Sequence, residues 1–121
     1  MAVSPEYREF VLEQLERVAP VRARRMFGGV GLYRDDLFFA VLDDDRMYFK
    51  VDDTNRPDYE ALGQRPFDPF KDGVHLLQYY EVPAEVVEDP DELRLWIDKA
   101  LDVARRKKAG GKGRARKSRK S

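Results

Sequence analysis

The stretch that decides the fold is residues 25–53, RMFGGVGLYRDDLFFAVLDDDRMYFKVDD. It reads as three strands, roughly 26–33, 37–42 and 47–51, linked at Asp35-Asp36 and at Asp43-Asp44-Asp45. Aspartates suit such links because their side chains hydrogen-bond nearby backbone in turns. Links this short make antiparallel neighbours, since a parallel pair needs a long crossover. In the third strand Met47, Phe49 and Val51 alternate with Arg46, Tyr48 and Lys50, giving one apolar and one polar face. The second strand, LFFAVL, has no polar position, which fits a strand covered on both faces.

Helices are expected on either side. Ser4 is an N-cap with Pro5 at the first helical position, and Tyr7, Phe10, Val11, Leu15 and Val18 follow at helical spacing until Pro20. Asn55 or Thr54 caps a short helix to Leu62, stopped by Gly63. Phe67 and Phe70 plug the core from an irregular stretch, and a further strand runs over 74–82. Asp89-Pro90-Asp91-Glu92 starts the last helix, whose stripe includes Leu93, Trp96, Ile97, Ala100, Leu101 and Ala104. Trp96 is expected to pack on the sheet. The order α-β-β-β-α-β(β)-α gives an α+β fold in two layers, an antiparallel sheet of about four to five strands with helices packed on it.

A chain of 121 residues makes one domain with one core. The net charge of zero hides an asymmetry. Residues 105–121 hold ten Lys or Arg and no acid, leaving 13 basic against 23 acidic residues in 1–104, a net charge of −10. The division is therefore a domain at 1–104 and a basic tail at 105–121, expected to be disordered because it has almost nothing apolar to bury. The tail cations, Arg105, Arg106, Lys107, Lys108, Lys112, Arg114, Arg116, Lys117, Arg119 and Lys120, can meet phosphates but have no fixed geometry for reading bases. Other uses for them are solubility, screening of the acidic body, or adhesion to an acidic membrane.

Reactive residues are few. There is no cysteine, which excludes disulfides and thiolate chemistry and fits a cytoplasmic, reducing setting. No signal peptide or membrane-spanning run is read. The body holds one serine, Ser4, one threonine, Thr54, and one histidine, His75, and both hydroxyls are better used as caps. The acidic clusters lack the spacing of a calcium loop. The GGVG run, containing Gly28, Gly29 and Gly31, leads into a strand, so a bulge or a close backbone approach explains it better than a phosphate loop. No cofactor, metal or catalytic residue is expected, and the chain is expected not to be an enzyme.

Four segments resemble the TfoX/Sxy N-terminal domain family: RRMFGGVGLY at 24–33, LFFAVLDDDRMYFKVDDTNRPDYEALG at 37–63, Phe67, and YYEVPAEVVEDPDELRLWIDKA at 79–100. They follow the family's order and spacing over nearly all of 5–104. The resemblance implies an antiparallel sheet backed by helices, similar to secretion chaperones. It implies a competence-regulator-like role with a protein partner, such as transcription machinery, and it carries no catalytic residues. It also implies a shared surface at Arg25, Phe27, Gly28, Gly29, Tyr48, Lys50, Asp53, Asn55, Arg56 and Tyr80. The expected function is a non-enzymatic regulatory or adaptor domain acting by protein contact, with a tail that touches nucleic acid without sequence preference. Alternatives are a small-ligand module on the polar face around Tyr48 and Lys50, or a hydrolytic enzyme. A homodimer is left open.

Overall fold

A computed structural model of the chain describes residues 3–26, 29–67 and 78–120, with side chains placed for 3–25, 29–67 and 78–109. The elements are α1 (Pro5–Glu16), β1 (Arg22–Met26), β2 (Gly29–Arg34), β3 (Leu37–Asp43), β4 (Arg46–Lys50), α2 (Arg56–Ala61), β5 (Tyr79–Glu81), α3 (Ala84–Val87) and α4 (Pro90–Lys120). The strands form one antiparallel sheet in chain order, β1-β2-β3-β4-β5. The α+β architecture is the expected one.

The acidic turns behave as their residues require. Asp35, Asp44 and Asp45 all have positive φ, between 53° and 55°. Two consecutive positive φ values at Asp44-Asp45 give the mirror-image turn whose twist matches a hairpin, and Asp tolerates it better than a branched residue. Asp45 Oδ1 also accepts from the Ser4 N–H (2.7 Å), tying this turn to the start of α1. Ser4 caps α1 by accepting from the Tyr7 N–H, and Asp89 Oδ1 caps α4 by accepting from the N–H groups of Asp91 and Glu92.

The core lies between the sheet and the helices. Val11 and Leu15 of α1, Phe39, Leu42, Met47 and Phe49 of the sheet, Tyr59 of α2, and Leu93, Ile97 and Leu101 of α4 are among its buried members. Phe67 does not enter this core, which corrects the expectation that it plugs it; its ring lies tilted against Tyr48 at 4.7 Å, on the other face of the sheet. Its N–H donates to the Tyr79 carbonyl, and Pro66 bridges Tyr80 on the outer side of β5.

Several expectations need correction. Residues 22–26 are a fifth strand, not a lead-in. RARRM shows no apolar alternation because it is an edge strand, held by pairing to β2 from Arg22↔Tyr33 to Met26↔Gly29. Of the expected strand over 74–82, residues 74–77 lie outside the described residues, Tyr79–Glu81 is β5, and α3 follows it. Phe10 is 39% exposed, because Val11 and Leu15 take the core side of α1. Trp96 is only half-buried and meets α2, edge-on to Tyr59 at 4.6 Å. The helix α4 is described from Pro90 to Lys120. Lysine and arginine are good helix formers, and cations suit a helix C-terminus. The body supplies carboxylates that fix the first part of the extension, as described below. His75, Phe70, Phe27 and Gly28 lie outside the described residues.

Two substitutions test the packing. A methyl group on Gly29 would stand 2.3 Å from the Leu42 carbonyl oxygen. Gly29→Ala should therefore force β2 from β3 and cost about 1–3 kcal/mol, as overpacking does, read as a lowered urea midpoint. Trp96→Ala should cost about 2–3 kcal/mol, less than the 3–5 typical of a buried aromatic, and thermal unfolding measures it.

Candidate interaction surface

The residues expected to share one surface divide among three places. Arg25 and Gly29 line an open cleft of about 390 Å³, together with Val30 and the α1 residues Arg8, Glu9 and Leu12. Phe27 and Gly28 belong to this part of the chain but lie outside the described residues.

Asn55, Asp53, Arg56 and Tyr80 form a second group around the loop after β4. Asn55 is 1% exposed and is the buried polar side chain of the described body. It stands at the N-cap position of α2 but makes no cap bond. Its Oδ1 instead accepts from the Asp52 N–H (2.9 Å) and its Nδ2 donates to the Lys50 carbonyl (3.2 Å). The side chain thus satisfies two backbone groups at the exit of β4, which corrects the expected capping role. Thr54 does not cap either. Its hydroxyl donates to Asp52 Oδ1 (2.6 Å) and accepts from Arg106 Nη2 (2.8 Å). Arg56 pairs with Asp53 at 2.6 Å, and buried Tyr80 donates its hydroxyl to Glu60 Oε2 (3.2 Å).

Tyr48 and Lys50 form the third group, on the sheet face opposite Met47 and Phe49. This face is not simply polar. Tyr48 is buried under Phe67, and burial, then the nearby Glu81 carboxylate, raises its hydroxyl pKa. Lys50 is half-buried, with its ammonium 5.5 Å from the ring centroids of both Phe38 and Tyr79. Burial lowers its pKa, and the Lys107 charge lowers it further. Burial, then Tyr33, raises the pKa of Tyr79. The aromatic partners Tyr33, Phe38 and Tyr79 were not picked out from the sequence. Their common face follows from an irregularity in the β2–β3 register, where Leu32 pairs with Ala40 but Tyr33 pairs with Phe38. No local residue signal reports that shift.

The start of the basic segment is folded onto the body. Arg106 donates to Asp52 Oδ2 through Nε and Nη2 (3.2 and 3.1 Å) and reaches Thr54. Lys108 pairs with Asp36 in the β2–β3 turn, and Arg105 pairs with Asp102 one turn back along α4. Lys99 likewise meets Asp58 of α2 at 2.7 Å. Burial alone would raise the Asp52 carboxyl pKa. The hydrogen bonds from Thr54 and Arg106 outweigh burial and hold it below the usual value. Each pair is largely exposed and contributes about 0–1 kcal/mol, so the set orients the helix more than it stabilises the body.

A five-stranded antiparallel sheet with its long C-terminal helix packed across β3 and β4 defines a small α+β domain. The family model of the TfoX N-terminal domain matches residues 13–104, and the chain belongs to that family. One relative is the DNA transformation protein TfoX1 of Aliivibrio fischeri, 26% identical over 92 residues. The match covers 75% of this chain and 44% of that protein, so the chain spans less than half the relative's length. No helix among the described residues is long and apolar enough to cross a membrane.

Asn55 offers a sharp test of the loop. Asn55→Asp keeps the shape but turns the donor facing the Lys50 carbonyl into an oxygen. At pH 7 it should cost about 2–4 kcal/mol, because a buried charge then faces a carbonyl with no proton between them. Burial raises the new carboxyl's pKa, so the penalty is present at neutral pH and shrinks as acid supplies the missing proton. Urea unfolding of variant and parent at pH 7 and pH 4.5 measures the difference at each pH.

Proposed function

We propose that the protein is a non-enzymatic regulatory domain that works by protein contact, with the cationic end of α4 as its nucleic-acid-facing part. The observation that carries the regulatory reading is the family match across residues 13–104. The name of the Aliivibrio fischeri relative, a DNA transformation protein, points the same way. The hydroxyls of the body also favour a non-catalytic reading, since those of Ser4 and Thr54 are both held in local hydrogen bonds. The partner is a protein of the transcription apparatus, and the compartment is the cytoplasm.

Apart from Lys107, whose charge acts on Lys50, the tail cations divide into two sets on this reading. Arg105, Arg106 and Lys108 are paired with carboxylates of the same chain. Lys112, Arg114, Arg116, Lys117, Arg119 and Lys120 are the cations this reading assigns to phosphates. Six phosphate contacts give a slope of log affinity against log salt of about −5, with dissociation constants of about 10⁻⁴ to 10⁻⁶ M at physiological salt. Fluorescence anisotropy with a labelled random-sequence duplex tests this. Changing those six residues to glutamine should abolish the salt-dependent binding, and undiminished binding would remove nucleic acid from the tail's role. Transcript profiling of a deletion strain tests the regulatory half, where an unchanged profile would overturn it.

A further inference from the structure

On the sheet face away from α4, one row of side chains crosses all five strands. The pairing sets Arg22 opposite Tyr33, Tyr33 opposite Phe38, and Lys50 opposite Tyr79. The rings form a connected series, with Tyr33 stacked on Phe38 at 5.0 Å and Phe38 at 5.9 Å from Tyr79. Cations sit among them. Arg22 lies 5.6 Å from the Tyr33 centroid, and Lys50 contacts the other two rings. Tyr33, Phe38 and Lys50 are half-buried, so each keeps surface open to a ligand.

The charges on this row are not internally balanced. Lys50 makes no ion pair among the described residues, and its charged neighbour is another cation, Lys107. The nearest turn carries Asp35 and Asp36. Asp36 is taken by Lys108, while the Asp35 carbonyl accepts from Arg22. Glu81 stands one row away, opposite Tyr48. The Lys50 ammonium, without a carboxylate partner among the described residues, suits an anion, and the flat rings beside it suit a flat partner. A nucleotide unit has both. Five strands at about 4.8 Å spacing make the row about 19 Å long, which suits several linked nucleotides rather than one. The charge of Lys107, where the cationic end of α4 begins, also acts on Lys50 within the row.

We propose that this face is a stacking platform for single-stranded nucleic acid, with bases on Tyr33 and Phe38 and the backbone phosphates on Lys50 and Lys107. Duplex bases are stacked on one another and cannot reach the rings, so the platform selects unpaired strands. This deepens the nucleic-acid part of the function proposed above, because the tail offers charge without base contact and the platform offers base contact.

The experiment uses the full chain and compares a labelled twelve-residue oligothymidylate with a random duplex of equal length by anisotropy. The single strand should bind more tightly. Phe38→Leu should weaken single-strand binding about tenfold, as loss of one base–aromatic stack does, and leave duplex binding unchanged. Lys50→Met, which removes the charge and keeps the stem, should also weaken the single strand. Circular dichroism checks the fold, and if Phe38→Leu unfolds, Tyr33→Leu and Lys50→Met decide. The six-glutamine tail variant should lose duplex binding yet keep its dependence on Phe38, which separates failure of the tail from failure of the platform. Folded variants with unchanged single-strand affinity would overturn the proposal, as would equal affinity for strand and duplex. Competition by thymidine monophosphate as effective, per nucleotide, as the oligomer would overturn the extended platform.

Discussion

Everything in this domain depends on burying β3 from both sides. The strand is hydrogen-bonded to β2 and β4, and its residues Phe39, Ala40 and Leu42 are fully covered. One face is closed by α4, whose Leu93, Ile97 and Ala100 belong to the same cluster. Its other face meets Tyr33 and Tyr79 through Phe38. The run from Leu37 to Leu42 has no polar position and Phe39 to Leu42 is buried, so the helices have little freedom in where they dock. The same demand explains Gly29. The β2 backbone runs so close to the Leu42 carbonyl that no side chain fits between them.

Much of this was legible in the sequence because the signals are local. The serine and aspartate caps, the aspartate turns and the alternation of Met47, Phe49 and Val51 each act over a few residues, and each recurs in the structure. What escaped depends on distant pairing. β1 is a strand because β2 lies beside it, and its arginines carry no strand pattern of their own. Asn55 resembles a cap by position, yet its side chain turns back to the backbone of Lys50 and Asp52. Trp96 meets Tyr59 edge-on, a contact between α4 and α2 that no local pattern reports. For the candidate site the same division holds. Tyr48 and Lys50 stood out by alternation, whereas their ring neighbours come together through a shifted register.

Charge is arranged by segment rather than mixed. Seven of the 23 acidic residues stand in three aspartate groups at or beside the ends of strands, Asp35-Asp36, Asp43-Asp44-Asp45 and Asp52-Asp53. Two of these groups receive cations from α4, through Lys108 and Arg106. The link from Asp52 to Arg106 spans 54 positions of sequence. The basic segment therefore has a defined starting point on the body, and the helix beyond it leaves in a direction set by those contacts.

The two sheet margins bear on how other chains can approach. An exposed strand edge offers a row of free backbone groups and invites unwanted pairing. At one margin β1 is five residues long and carries Arg22, Arg24 and Arg25, so an incoming strand meets charge. At the other, the Arg65 carbonyl and the Phe67 N–H already occupy the outer side of β5, with Pro66 between them. Proline has no donor to extend a ladder. The sheet is thus protected against edge-to-edge aggregation at both ends, and strand addition is a poor route for recruiting a partner or a second copy. Recognition is left to the faces, where side chains rather than backbone groups decide what binds.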